Sequence, residues 1–470
     1  MTFFWIMSHD TKLLIYSLNN DLRISIEIIT LLITLLSTIL VWYPVCFRGE
    51  ILRFVRLIIF FKTLSLFQTL SPTFTLLSST RIRDKINVLL VTLLLYIFTI
   101  VFLVCDFNAY KRGRKNQILN IMLFILLLFF IVNSIILLYL YFEVSILPIF
   151  FLIIGWGYQT ERVSARLALM FYTVTSSMPL LVFICCRLIF NKIFFFSQLS
   201  LMLNIHFYLE VSRFGIIFAF LVKIPIFLGH VWLPKAHVEA PVEGSIILAS
   251  LLLKLGGYGL IRLSPLILRR DILNVLISVS LTGSGLIGFV CLSQLDLKVI
   301  IAYSSVAHIG LSIAGLLYLN NFGLSGSLIL LIAHGLSSSI IFFGGNVIYT
   351  RRFSRRIIVA KGLLAVFPLI SFFWLLCCLR RIAAPPSLNL MAELLCITSI
   401  ISFGLSNILW IGFSVFLAAG YSIILYSSTQ QSSYIASTGR IKYGNIKEFL
   451  VFFRHTFWVI ILILSIFLYV

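Results

Sequence analysis

The chain has 470 residues, 61% of them hydrophobic and 11% charged, with a mean hydropathy of +1.12. A soluble fold of this length could not hide so much apolar surface, so the composition excludes that class and leaves a polytopic membrane protein. Lysine and arginine outnumber aspartate and glutamate 36 to 15, a formal net charge of +21; the basic residues fall in short loops between apolar runs, which points to positive-side loops and anionic lipid and away from nucleic acid.

A membrane helix needs about 20 apolar residues. By that rule, spans are expected at 24–46, 51–70, 86–105, 117–133, 134–155, 165–190, 212–239, 244–263, 272–292, 297–318, 324–349, 361–403, 405–427 and 449–470. The fold class is therefore all-α and polytopic, with about fourteen transmembrane helices. The fourth and fifth spans meet at a tight turn near Asn133 and Ser134. Two spans read as discontinuous: the seventh holds Pro225 and Pro234, and the twelfth holds Arg380 and Arg381 followed by Pro385 and Pro386. With fourteen crossings, the loops carrying Lys111 to Lys115, Arg162, Arg351 to Arg356, and Arg440 with Lys442 share the basic, inner side, and both termini lie opposite. The broken spans are five apart. Five is odd, so the units around them are inverted relative to one another, a transporter pattern. The expected divisions are N-terminal helices over 1–116, a first five-helix repeat over 117–263, a second, inverted one over 272–427, and a loop with a last helix over 428–470.

No Gly-rich phosphate loop or dinucleotide fingerprint occurs. The eight cysteines form no C-x-x-C pair, and most lie within apolar spans, where they read as buried thiols. His230, His237, Glu239 and Glu243 lack the spacing of a metal motif; cap and loop roles fit them better, since Glu243 opens a helix. Asp296 opens the tenth span in the same way.

The ionisable residues inside the apolar runs are the candidates for chemistry, because such residues are costly there and mark proton or ion paths. Glu143 is the one acid in I-L-L-Y-L-Y-F-E-V-S-I-L-P, and Lys223 precedes the helix-breaking Pro225. An opposite charge stabilises the lysine's charged form and desolvation opposes it, so a Glu143–Lys223 pair is poised to gain or release a proton. Lys254 lies in L-L-L-K-L-G-G-Y-G. His308 and His334 have Ser304, Ser305, Ser337 and Ser338 beside them, and histidine titrates near neutrality. Glu393 follows the second break. Taken in order, Glu143, Lys223, Lys254, His334 and Glu393 form a candidate polar line through the membrane centre.

The run V-W-L-P-K-A-H-V-E-A-P-V-E-G-S-I-I-L-A-S-L-L-L-K-L-G-G-Y-G-L-I-R resembles the chain 4 family of NADH:ubiquinone oxidoreductase, the respiratory complex I. So do W-G-Y-Q-T-E-R, D-L-K-V-I-I-A-Y-S-S-V-A-H-I-G, I-A-H-G-L-S-S-S and P-P-S-L-N-L-M-A-E-L, in family order over about residues 134–430. The resemblance implies an antiporter-like, proton-pumping subunit with two inverted five-helix repeats, in which Glu143, Lys223, Lys254, His334 and Glu393 match proton-path positions and His308 a further polar-axis position. It implies no cofactor on this chain, with FMN, iron–sulfur clusters and ubiquinone in other subunits. It also implies chains 2 and 5 as neighbours, anionic lipid such as cardiolipin, and the mitochondrial inner membrane. A free-standing cation/proton antiporter is the alternative reading. Glu243, Ala392 and Thr350 depart from the family pattern, which has a small apolar residue, a glycine and an acid at those places.

Overall fold

Hydrocarbon offers no water to the peptide group, so a spanning chain must satisfy its backbone internally, and the apolar runs here become helices. The computed structural model describes residues 75–78, 81–83, 85–105, 110–157, 159–191, 196, 209–264, 270–431 and 444–466. The spans expected at 24–46 and 51–70 lie outside the described residues. Among the described residues, nine helices are long and apolar enough to cross a membrane.

The chain divides into two compact units. The first contains a two-stranded antiparallel hairpin, β1 (Thr75–Ser78) and β2 (Arg81–Arg83), which pairs Thr75 with Arg83 and Leu76 with Ile82. It is a small local departure from the all-helical expectation. The same unit holds most of α1 (Lys85–Val104) and all of α2 (Tyr110–Ile131). The basic run 111–115, expected as a loop, is the first turn and a half of α2; lysine and arginine are good helix formers.

The second unit carries the rest. Helices α3 (Ile135–Val144) and α4 (Ile146–Trp156) make one crossing interrupted at Ser145. Pro148 explains the interruption, since it has no N–H for the Val144 carbonyl. Next come α5 (Arg162–Asn191), α6 (Leu209–Lys223) and α7 (Trp232–Glu239). A continuous helix follows in three parts: α8 (Val242–Ile247), a π turn (Leu248–Leu252) and α9 (Leu253–Leu263). Then come α10 (Arg270–Ser293), α11 (Leu297–Leu317) and α12 (Asn321–Arg352). The unit closes with α13 (Leu363–Val366), α14 (Pro368–Arg381), α15 (Leu388–Ile401), α16 (Ile408–Gln430) and α17 (Ile446–Ile466).

Both expected breaks are present. The first separates α6 from α7 and starts immediately after Lys223; the second separates α14 from α15 just before Glu393. Each turns at a non-glycine residue in the left-handed region, Leu228 (φ 76°) and Ala383 (φ 61°). That conformation costs an L-residue about 1–2 kcal/mol, strain that the surrounding packing must hold. Four unbroken crossings lie between the two, so the second broken helix is the fifth after the first.

Helices α11 and α12 are almost wholly buried and form the centre, with α10 and α15 packed on them. Helix α16, by contrast, exposes Leu409, Phe413, Phe416 and Ile423. Arg351 and Arg352, expected in a loop, are buried in the last turn of α12, where the helix dipole favours cations. Arg351 grips Glu448 of α17 through both guanidinium nitrogens, at 2.5 and 3.4 Å, and Arg352 donates to the Lys361 carbonyl.

The G-G-Y-G run lets α9 close on α6 beside Lys223. A Cβ at Gly256 would stand 2.9 Å from the Phe220 carbonyl oxygen and 3.1 Å from the Ile224 nitrogen, both backbone atoms that cannot turn aside. Gly256→Val is expected to cost about 1–3 kcal/mol by overpacking. On native gels it should lower the yield of the assembled complex, and an undiminished yield would mean that the two helices are free to separate.

Candidate functional site

The structure places Glu143, Lys223, Lys254, His308, His334 and Glu393 on helices of the second unit, in three local arrangements. The first surrounds Lys223, the last residue of α6. Its side chain is buried, and its Nζ donates to the Phe142 carbonyl at 2.6 Å and lies 3.5 Å from the Ser145 hydroxyl. The Phe142 ring stands below it, 3.3 Å from Nζ, a cation–π contact. The interruption at Ser145 is what presents this carbonyl. Glu143 is half-buried and within electrostatic reach of Lys223, yet forms no ion pair with it, and its Oε1 has no hydrogen-bond partner. The expected pair is therefore a charge interaction across a short gap. Glu143 and Phe142 are successive residues, about 100° apart around α3, and Lys223 has settled on the Phe142 side.

The second arrangement is built on Lys254 and His334. Lys254 is fully buried. The π turn preceding it widens the helix, and Nζ folds back to donate to the Ala249 carbonyl at 2.8 Å. The same nitrogen is 3.1 Å from His334 Nδ1 in the middle of α12. A proton between these two nitrogens can belong to either, and the imidazole tautomer follows from which one holds it.

The third arrangement joins α11 to the second break. His308 Nδ1 is 3.4 Å from Glu393 Oε1, both side chains being buried. The His308 and His334 rings lie 6.4 Å apart between centroids, and neither Nε2 has a hydrogen-bond partner. The line thus runs Lys254, His334, His308, Glu393, with one gap between the imidazoles. A transfer across it needs a ring rotation or a bridging water.

The serines beside the histidines are less available than their positions suggest. Ser304, Ser305, Ser337 and Ser338 donate to carbonyls three or four residues back on their own helices. Such back-bonding is the usual outcome for a hydroxyl inside a helix.

The four residues considered as a metal motif are dispersed among other contacts. The His237 ring stacks on Phe342 at 4.5 Å, His230 on Phe227 at 5.7 Å, and the Cys105 thiol faces Glu243 at 3.5 Å. His237 is fully buried and lies within electrostatic reach of Lys254 and Lys298. Lys298 in turn donates to the carbonyls of Val238 and Ala240. Three central residues were not among the relay candidates drawn from the sequence: His237, weighed there only for a metal motif, Tyr421 of α16 and Arg381 at the end of α14. The Arg381 guanidinium lies beside the Tyr421 hydroxyl, and Tyr421 packs edge-on against His308 at 6.3 Å. Sequence held a signal for Arg381 alone, an arginine within an apolar span beside a proline pair.

Two broken helices facing a buried line of lysines, histidines and carboxylates define an antiporter-like, ion-translocating membrane protein. Residues 132–418 match the family described as NADH:quinone oxidoreductase/Mrp antiporter, TM. The chain is 42% identical over 361 residues to NADH-ubiquinone oxidoreductase chain 4 of Ceratitis capitata, covering 76% of this chain and 80% of that one. It is 45% identical over 323 residues to the chain 4 protein of Locusta migratoria, covering 68% and 72%. Among solved structures it superposes on a chain of respiratory complex I from Thermus thermophilus with bound NADH, with TM-score 0.80, 20% identity and coverage of 92% and 93%. It superposes equally on a chain of the membrane-bound sulfane sulfur reductase, an archaeal respiratory membrane complex, with TM-score 0.81, 16% identity and coverage of 94% and 93%. The chain belongs to the NADH-ubiquinone oxidoreductase chain 4 family. Complexes of different redox chemistry share the fold, so sequence, not architecture, sets the family.

Proposed function

We propose that this chain carries protons along Lys223, Lys254, His334, His308 and Glu393, with Glu143 biasing the proton on Lys223. As a chain 4 family member it is a proton-pumping subunit of the membrane arm of NADH:ubiquinone oxidoreductase. The observation that carries the residue-level reading is the 3.1 Å contact between Lys254 Nζ and His334 Nδ1, two titratable nitrogens buried face to face inside the bundle. A charge moved against 100 mV costs about 2.3 kcal/mol, so the drive must come from quinone reduction elsewhere in the complex. This chain then performs no redox step. FMN, the iron–sulfur clusters and ubiquinone reside on other subunits, chains 2 and 5 flank it in the arm, and anionic lipid such as cardiolipin meets its basic loops. Its location is the mitochondrial inner membrane, a reading supported by its animal relatives. A free-standing cation/proton antiporter fits the fold, but the identity to chain 4 proteins favours the complex.

Replacing His334 tests the relay at its midpoint. In sealed vesicles, the assembled His334→Leu complex should translocate fewer protons per NADH oxidised than the unaltered complex. An unchanged ratio would remove the imidazole from the path.

A further inference from the structure

We propose that Arg381 is a fixed-charge gate, a positioning residue that closes the proton line to passive flow at the second helix break. The inference rests on the reading of Lys254, His334, His308 and Glu393 as that line. Arg381 is buried; its Nη2 donates to the Ile301 carbonyl at 3.2 Å, and its guanidinium lies beside the Tyr421 hydroxyl. Its Nε and Nη1 have no partner, and among the described residues no carboxylate reaches it within ion-pair distance. The acid on this part of the line, Glu393, is engaged by His308. Arg351 marks the contrast, since it holds Glu448 bidentately, as an arginine fastening two helices does.

A guanidinium cannot give up its proton in a protein. Arg381 is therefore a permanent positive charge within electrostatic reach of His334 and Tyr421, and Tyr421 packs on His308. Any proton crossing the gap between the imidazoles does so against that charge. A fixed arginine in a narrow polar path is a general means of excluding protons and cations. The fold can bear it because Arg381 closes α14, whose terminal carbonyls form the negative end of the helix dipole. The drive from the complex must then displace Arg381 or the histidines relative to each other before the proton moves on, which couples passage to turnover.

The test uses the assembled complex in sealed proteoliposomes, with proton leak measured under an imposed gradient and no NADH, then protons per NADH during turnover. Arg381→Gln should raise the leak about tenfold and lower the ratio while NADH oxidation continues, because one nearby charge in a medium of intermediate dielectric weighs about that much. Arg381→Lys supplies a cation that a buried site can discharge, so its leak relative to the unaltered complex should climb as pH rises, a dependence that a merely structural arginine would not predict. A tight Gln complex with an unchanged ratio, or a Lys complex whose relative leak is the same at every pH, overturns the gate. Should the Gln complex fail to assemble, the pH dependence of the Lys complex decides alone. Lost pumping in a tight Gln complex overturns the gate and leaves the relay standing.

Discussion

Lys254→Met is expected to abolish proton pumping through this subunit while the complex still assembles. Methionine matches the lysine stem in length and fills the same buried volume, so the π turn and the packing of α9 should survive. What disappears is the donor to the Ala249 carbonyl and the nitrogen that faces His334 Nδ1. The imidazole keeps its place in α12 with nothing to exchange a proton with on that side. NADH oxidation coupled to translocation should fall at least about tenfold, a barrier change of about 1.4 kcal/mol or more. Lys254→Arg sharpens the result. It preserves a positive charge, which satisfies any purely electrostatic or structural role, but arginine does not release its proton. A carrier role therefore predicts that arginine is as inactive as methionine. Pumping retained by Lys254→Arg would reduce Lys254 to a fixed charge and move the carrier role to His334.

Much of this was legible in the sequence, and the parts that were not have physical reasons. Pro225 and the Pro385–Pro386 pair announced the two breaks, because proline removes a backbone donor wherever it falls. The scarcity of charge made Glu143, Lys223, Lys254, His308, His334 and Glu393 stand out as members of one system. Their pairing did not follow from order along the chain. Lys223 turned to the Phe142 carbonyl because Ser145 and Pro148 open the helix there, and periodicity does not reveal which face a long flexible side chain will choose. The π turn before Lys254 lies in L-A-S-L-L, a run with nothing to distinguish it from ordinary helix. Arg381 passed as part of a broken span because a charge at a helix end is usually a solvated or interfacial one. Its burial depends on α16 bringing Tyr421 over it, forty residues later in the chain.

Glu143→Gln should stop both proton pumping and coupled NADH oxidation with assembly intact. Glutamine is nearly isosteric and retains hydrogen-bonding capacity, so α3 has no steric reason to move. The substitution removes only the charge that faces Lys223. At an effective dielectric of about 20, an opposite unit charge near contact distance is worth up to about 4 kcal/mol, and each 1.4 kcal/mol changes the distribution of a shared proton about tenfold. The gap between them matters to how this works. A contact ion pair would be a static anchor, with the lysine fixed by geometry. Here Lys223 is held by the Phe142 carbonyl and ring, while the partnerless Oε1 of Glu143 acts on it through space. Small movements of α3 against α6 then alter the interaction without breaking a bond, as a subunit driven from elsewhere in its complex requires. Proton translocation in sealed vesicles, measured alongside NADH oxidation, separates the cases. Loss of both makes Glu143 part of the coupled relay. Unaltered pumping would make Glu143 a structural acid and begin the line at Lys223.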